Sequence, residues 1–212
     1  MDMKNCIIFC AAAFDGLLSP IPSDALVIAA DGGLRHTEGL GLTPDIILGD
    51  FDSLGYVPAD SRVYPVEKDD TDAMLAVRVG LEQGCDFFVF YGAMDGPRLD
   101  HTVANFQTLA YLATHNARGV LIGRDYILTV VKNGKLSFPA GCAGIFSLFC
   151  LGPDATGVSI RGLHYELENG TLTAGFPLGV SNHFVGKPAR LTLRDGSLLV
   201  LWERENGLPE RS

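Results

Sequence analysis

The sequence has few features of secreted or membrane-spanning proteins. Its five cysteines are an odd number and form no C-x-x-C pair, which argues against a disulfide framework or a zinc site and fits a reducing compartment. No apolar stretch approaches the ~20 residues of a membrane span. We therefore expect a soluble, cytoplasmic protein without a membrane partner.

A basic patch is also missing. Residues 1–125 carry 15 Asp and 3 Glu against 8 Lys and Arg, whereas residues 126–212 carry 7 acidic and 8 basic residues. Because nucleic-acid binding depends on cationic contacts to phosphate, we expect no nucleic-acid partner. A dense set of Asp residues is suited instead to a hard cation such as Mg²⁺, which in turn binds phosphates.

Alternating patterns in the first part predict a Rossmann-like α/β domain over residues 1–124. Six apolar runs are typical of strands buried on both faces of a mainly parallel sheet: CIIFCAAA, ALVIAAD, DIILGD, SRVYPV, DFFVFYGA and RGVLIG. Two helical segments lie between them, one with Met74, Val77 and Leu81 on a stripe and one with Val103, Phe106, Ala110 and Ala113.

The second part, residues 125–212, predicts an all-β, sandwich-like domain. It has no strong helical pattern and carries three Asx-Gly pairs between β-type runs: Asn133-Gly134, Asn169-Gly170 and Asp195-Gly196. Such pairs favour type I′ hairpin turns, in which both central residues have positive φ.

Asp residues follow the predicted strands of the first part. Asp50 and Asp52 come directly after the third strand with only Phe51 between them, and the others are Asp31, Asp69, Asp70, Asp72 and Asp100. In an open parallel sheet, ligands bind outside the carboxyl ends of the strands. Carboxylates that repel one another are tolerated there when a divalent cation neutralises them, so the pattern predicts an Mg²⁺ and phosphate site.

Each motif taken alone also has a simpler interpretation. Asp31-Gly32-Gly33 and Asp50-x-Asp52 are compatible with ordinary turns, and Asp69 or Asp70 is expected to cap the following helix. His101 is compatible with a packed histidine and Arg98 with a solvated charge. The convergence of four Asp-bearing turns on successive strand ends is what favours a site.

The motifs in this order resemble thiamine pyrophosphokinase. They are Asp31-Gly32-Gly33, GDFDS (49–53), KDDTD (68–72) and RLDH (98–101), and the segment GLHYELENGTLTAGFPLGVSNHFVGKPARLTL resembles the thiamine-binding domain of that family. One departure is GAMDGPRLDH, where Asp95-Gly96-Pro97 replaces the usual Gly-Gly and adds one residue.

The resemblance implies transfer of a diphosphate group from ATP to the hydroxyl of thiamine, giving thiamine diphosphate and AMP. It implies Mg²⁺ held by Asp50, Asp52 and Asp72, Arg98 on phosphate, and Asp100 near the thiamine hydroxyl as a candidate base. These five residues form the implied catalytic set. Thiamine would also contact Ser181 and Asn182, and the implied assembly is a homodimer. The implied nucleotide-binding residues are Asp31, Gly32, Gly33, Asp69, Thr71, Gly92 and His101.

Two other functions remain open from the residues. One is a different Mg²⁺-dependent phosphotransferase or phosphohydrolase, although phosphatases with an Asp nucleophile carry their D-x-D motif after the first strand. The other is a nucleotide- or thiamine-binding regulator without activity, which loss of the acidic set would favour, and that set is intact.

Overall fold

The computed structural model describes residues 4–210 as mixed β-structure with few helices. The outer ends of the two expected domains, residues 1–3 and 211–212, lie outside the described residues. The chain divides into two compact units, Met1–Arg124 and Asp125–Ser212. Within residues 4–210, no helix has the length and apolar character needed to cross a bilayer.

Six strands of the first unit pair in parallel in the order β6-β5-β1-β2-β3-β4. Their bounds are β1 Asn5–Phe9, β2 Leu26–Ala30, β3 Ile46–Gly49, β4 Arg62–Val63, β5 Phe87–Tyr91 and β6 Arg118–Ile122. The chain adds β2 to β4 on one side of β1 and then returns to place β5 on its other side. Such a reversal opens a crevice at the carboxyl ends of the strands.

Burial follows the predicted pattern in the centre of this sheet but not at its edge. The large side chains Phe9, Phe88 and Phe90 are fully buried. Both residues of β4 are exposed, however, so the prediction of two buried faces is wrong for the run SRVYPV. The reason is that β4 is a two-residue edge strand that has a neighbour on one side only.

Three α-helices of the first unit follow strands or loops: α1 Leu34–Gly39, α2 Asp72–Glu82 and α3 Leu99–Thr114. Thr71 is the N-cap of α2, because its side-chain oxygen accepts a hydrogen bond from the Met74 N–H at 3.2 Å. The expectation that Asp69 or Asp70 caps this helix is therefore wrong. Asp70 pairs instead with Arg78 at 2.9 Å, and Asp69 is exposed.

The helices bury different faces from those predicted. In α3 the buried residues are Asn105, Thr108, Leu109 and Leu112, whereas Val103 is 49% exposed. In α2, Val77 is buried but Met74 and Leu81 are only partly so. The hydrophobic pattern predicted the wrong buried face of α3, because polar side chains on the true buried face have hydrogen-bond partners. For example, Asn105 Nδ2 donates to the Ala93 carbonyl at 2.7 Å.

The second unit contains two antiparallel four-stranded arrangements, β12-β9-β14-β7 and β11-β10-β13-β8. Aromatic contacts join them, since Phe138 of β8 packs edge-on against Phe146 of β9 and Trp202 of β14. The strand bounds are β7 Tyr126–Lys132, β8 Lys135–Phe138, β9 Ile145–Cys150, β10 Ala155–Arg161, β11 Leu167–Leu172, β12 Asn182–His183, β13 Ala189–Thr192 and β14 Ser197–Glu203.

The three Asx-Gly pairs do not form the predicted hairpins. The first and third connect strands that belong to different sheets, β7 to β8 and β13 to β14. The second lies inside β11, opposite a register shift in β10. Only one residue of each pair has positive φ, namely Asn133 (45°), Asn169 (49°) and Gly196 (112°), so the type I′ geometry is not reached.

Candidate active site

Three carboxylates of the first unit converge at the carboxyl ends of the strands. Oxygens of Asp31, Asp50 and Asp72 all lie within 4.8 Å of one another. Asp31 follows β2, Asp50 follows β3, and Asp72 is the first residue of α2. The parallel order of the strands brings these positions to one edge, as their spacing predicts.

Asp31 is held in a strained and buried position. It has a positive φ of 48°, and the residue is only 7% exposed. Ser53 Oγ donates to its Oδ2 at 2.6 Å, whereas Oδ1 is buried without a hydrogen-bond partner among the described residues. Gly33 lets this turn approach β1, because a Cβ there would lie 1.9 Å from the Phe9 carbonyl oxygen.

Phe51 explains why two carboxylates are placed two positions apart. Its ring is buried with Ala29, Leu34 and Leu54, and its φ is 62°. The anchored ring separates the two neighbours: Asp50 joins the carboxylate cluster, while the Asp52 side chain is exposed and lies outside it. The Asp52 N–H donates to Asp50 Oδ1 at 3.3 Å, which closes the turn.

Lys68 is a site residue that the sequence analysis did not identify. Its Nζ lies 2.6 Å from Asp50 Oδ2 and 3.0 Å from Asp72 Oδ1. The available signal was its position four residues before Asp72, a spacing at which opposite charges interact around a helix start. Ser53 and Asn105 were missed in the same way, and both line the cavity described below.

The electrostatic environment differs between the two carboxylates that contact Lys68. Burial raises the pKa of Asp72 above its ordinary value, and the contact with Lys68 only partly offsets that effect. Burial also pushes the pKa of Asp50 upward, but hydrogen bonds from Lys68 and the Asp52 N–H outweigh it, so this pKa is lowered. Burial opposes the charged form of Lys68, yet hydrogen bonds to Asp50 and Asp72 raise its pKa.

A cavity of about 600 Å³ in the first unit adjoins this cluster. Its wall is formed by residues that follow β1, β2, β3 and β5 and by the first turns of α2 and α3. The sequence-predicted residues that line it are Asp31, Asp50, Asp52, Asp70, Thr71, Asp72, Gly92, Arg98 and His101. Gly32, Gly33, Asp69 and Asp100 are not part of the wall.

Arg98 and Asp100 pair with each other at the start of α3. The Arg98 Nε and Nη2 atoms donate to the two Asp100 oxygens at 2.9 and 2.7 Å, and both side chains are about two-thirds exposed. Arg98 lowers the pKa of Asp100 to about 2. In this arrangement Arg98 contacts a carboxylate with the same planar fork that suits a phosphate.

Asn182 and Ser181 of the second unit have different environments. The Asn182 side chain is buried: its Nδ2 donates to the Tyr165 carbonyl at 2.7 Å, and its Oδ1 accepts the Tyr165 N–H at 3.0 Å. Asn182 therefore fixes the segment around Tyr165. Ser181 is exposed with φ of 61°, and its N–H donates to Ser147 Oγ at 3.0 Å.

Both parts of the chain match domains of one known family. Residues 19–121 match the catalytic domain of thiamin pyrophosphokinase, and residues 135–198 match its vitamin B1 binding domain. The two matches together take in well over half of the chain. The chain belongs to the thiamin pyrophosphokinase family. The resemblance found in the sequence is thereby confirmed, and the carboxylate cluster lies within the segment that matches the family's catalytic domain.

Individual relatives agree with this family assignment. The thiamine pyrophosphokinase of Bacillus subtilis (strain 168) is 28% identical over 186 residues, which cover 83% of this chain and 86% of that protein. A crystal structure of the thiamine pyrophosphokinase from Bacillus subtilis has a TM-score of 0.83 and 25% identity, covering 93% of this chain and 98% of that chain. The thiamin pyrophosphokinase from Candida albicans shares the fold, with a TM-score of 0.74 and 17% identity over 95% and 89% of the two chains.

Proposed function

We propose that this protein transfers a diphosphate group from ATP to the hydroxyl of thiamine, giving thiamine diphosphate and AMP, and that its acidic cluster holds the required Mg²⁺. The observation that carries the proposal is the convergence of Asp31, Asp50 and Asp72 within 4.8 Å beside the cavity. Asp50 and Asp72 belong to the metal set that the resemblance implies. Asp31 would be the third residue to hold the ion, because it lies in the cluster, whereas Asp52 is exposed and lies outside it.

The residues present fit an Mg²⁺ ion. All three side chains offer carboxylate oxygens, which are the hard ligands that this ion prefers. Asp31 Oδ1 is a buried oxygen with no hydrogen-bond partner among the described residues, and a buried carboxylate oxygen in that condition is costly unless a cation neutralises it. Bound Mg²⁺ would neutralise charge on the phosphate oxygens during transfer.

The chain's own groups supply orientation and positive charge. The N-terminus of α2, capped by Thr71, lies on the cavity wall, where its backbone N–H groups and helix dipole would favour a bound phosphate. Arg98 lies on the same wall and exchanges Asp100 for a phosphate oxygen when the nucleotide binds. The thiamine hydroxyl then attacks the β-phosphorus in line with the leaving AMP, so catalysis depends on positioning and charge stabilisation.

Asp100 becomes a useful proton acceptor only after Arg98 has moved. With a pKa of about 2, the paired carboxylate is a weak base toward an alcohol. Once the guanidinium turns to phosphate, the main cause of the low pKa is gone and the basicity of Asp100 rises. Nucleotide binding thus prepares the base for the thiamine hydroxyl.

We assign the vitamin to the second unit and the nucleotide to the first. The exposed Ser181 hydroxyl is the group available to hydrogen-bond the aminopyrimidine, while buried Asn182 shapes the segment beside it.

The parallel strand order of the first unit favours a Rossmann-like domain. Exposed apolar side chains before Ser181, among them Phe176 and Leu178, favour a homodimer. A cytoplasmic location completes the proposal, based on the cysteine pattern.

The reaction is tested by mass spectrometry of a mixture containing the protein, ATP, Mg²⁺ and thiamine. We expect thiamine diphosphate and AMP to appear together and to be absent when EDTA is in excess. Thiamine monophosphate with ADP would contradict the proposed transfer. An acid-stable phospho-aspartate during turnover would favour the phosphohydrolase alternative.

Replacing Asn182 by Ala is expected to raise the KM for thiamine far more than that for ATP. The change leaves both backbone groups of Tyr165 without their partner and loosens the segment next to Ser181, and it lowers the stability of the protein by roughly 1–3 kcal/mol. Steady-state kinetics with each substrate varied, together with thermal melts, measure both effects. Ser181→Ala is the matched control, for which we expect the thiamine effect without the loss of stability. Equal weakening of both substrates would show that the segment has no specific role in thiamine binding.

A further inference from the structure

Lys68 occupies the place between two carboxylates where a metal ion would bind. Its Nζ contacts Asp50 Oδ2 at 2.6 Å and Asp72 Oδ1 at 3.0 Å, and its side chain is only 13% exposed. Among the described residues Lys68 forms ion pairs with Asp50 and Asp72 but not with the third carboxylate, Asp31. Asp31 Oδ1 is buried without a hydrogen-bond partner there, and Asp72 Oδ1, although near the ammonium, accepts no hydrogen bond of good geometry. One ammonium therefore neutralises part of a cluster that contains three carboxylates.

A divalent ion and this ammonium compete for the same oxygens. Mg²⁺ binds carboxylate oxygens at about 2.0–2.1 Å, so an ammonium kept in its present position would lie within about 5 Å of the ion. Two cations that close together in a largely buried site repel each other strongly. Binding of the ion to Asp50 and Asp72 therefore requires Lys68 to leave them.

Lys68 stays at the site after it leaves the carboxylates. It lies on the cavity wall, four residues before Asp72, so the chain keeps its side chain beside the space that receives the nucleotide. A flexible ammonium is a good point-charge partner for a phosphate oxygen. In a loaded site the phosphates that arrive with the ion would offer this ammonium new anionic partners on the same wall.

We propose that Lys68 is a built-in counter-ion: it holds the carboxylate cluster together before metal binds, Mg²⁺ displaces it from Asp50 and Asp72, and it then pairs with the phosphate chain of the nucleotide. This inference rests on the proposed metal site. When the ion and the nucleotide bind, Asp50 and Asp72 exchange their contact with Lys68 for a contact with the ion. Lys68 exchanges its contact with these carboxylates for a contact with phosphate. Lys68 is thus a positioning residue before metal binds and a substrate contact afterwards.

The test compares Lys68→Met with the wild type by calorimetric titration of Mn²⁺ or Mg²⁺ without nucleotide. Because the internal competitor is gone, we expect the variant to bind the ion at least about tenfold more tightly, the size expected for losing a charged hydrogen bond. With ATP and Mg²⁺ present, the same variant is expected to lose kcat/KM by a similar factor. A general structural defect would weaken metal binding, so the opposite direction of the two effects is diagnostic.

Three further variants keep the test interpretable. Lys68→Gln removes the charge but keeps a hydrogen-bond donor, and serves if Lys68→Met does not fold in EDTA. Lys68→Arg keeps the charge and should behave like the wild type in metal titration. Lys132→Met, at an exposed position of β7, should change neither measurement.

The outcomes separate this inference from the proposed function. Unchanged or weaker metal binding by both Lys68→Met and Lys68→Gln, in an enzyme that still requires Mg²⁺, would overturn the role of Lys68 alone. Absence of metal binding by the wild type together with metal-independent turnover would overturn the metal site itself. Tighter binding with slower turnover would establish the exchange.

Discussion

Replacing Asp50 by Asn is expected to lower kcat/KM on the order of a thousandfold, which corresponds to about 4 kcal/mol of transition-state stabilisation. The change removes a charged ligand from the three-carboxylate cluster while it preserves the shape of the side chain. Steady-state kinetics at saturating Mg²⁺ measure the loss. Full activity of this variant at low Mg²⁺ would remove Asp50 from the metal set.

The Asp50→Asn variant should also be less stable than the wild type in EDTA. The pKa of Asp50 is lowered in the folded protein, mainly by its hydrogen bond from Lys68, so its charged form stabilises the fold at neutral pH. This contribution is present above the ordinary pKa of Asp and is lost as the pH falls through the lowered one. The difference in Tm between wild type and variant should therefore shrink in acid. Asp60→Asn is the control, because Asp60 is exposed and its positive φ suits Asn.

Replacing Asp72 by Asn is expected to cause a similar loss of activity but the opposite change in stability. Burial raises the pKa of Asp72, so the folded protein disfavours its charged form when no metal is bound. A neutral side chain of the same shape removes that unfavourable charge. We expect a higher Tm in EDTA at neutral pH, and because the raised pKa favours the protonated acid, this gain should disappear at pH values below the ordinary pKa of Asp.

The pair of variants distinguishes the environments of two carboxylates that share one lysine. Thermal melts in EDTA across the acid range measure both effects on the same scale. Equal destabilisation by Asp50→Asn and Asp72→Asn would contradict the assigned electrostatic difference. Excess Mg²⁺ should stabilise the wild type more than either variant, because each variant has lost a ligand for the ion.

The sequence predicted where the site lies better than it predicted how the site is built. The order of strands and Asp-bearing turns was enough to place Asp31, Asp50 and Asp72 at one edge, because parallel strands end on the same side. It could not show that Phe51 is the buried anchor that directs Asp50 inward and leaves Asp52 exposed. That choice depends on tertiary packing with Leu34 and Leu54, which no local pattern encodes.

The wrong predictions of the buried face of α3 and of the hairpin turns have the same origin. The stripe around Val103 is more hydrophobic than the one around Asn105, yet Asn105 is buried because the Ala93 carbonyl accepts its amide. Asn133-Gly134 is a correct turn signal, but the signal does not say whether the two flanking strands pair with each other. Hydrogen-bond partners for buried polar groups and the pairing of strands depend on residues far apart in the sequence. Residue type and spacing report only local preferences.

The destination of the β-phosphorus decides whether a diphosphate or only the γ-phosphoryl group is transferred. The sequence lacks a G-x-x-x-x-G-K-[ST] loop. The groups assigned to the metal and to phosphate are spread from Asp31 to Arg98 along one sheet edge, which suits binding of the whole triphosphate with its β-phosphorus open to the alcohol. The measurement follows ATP labelled at the β-position during a reaction with thiamine and Mg²⁺. We expect the label to appear in thiamine diphosphate while unlabelled AMP accumulates one-for-one. Label retained in ADP, with thiamine monophosphate as the product, would contradict it.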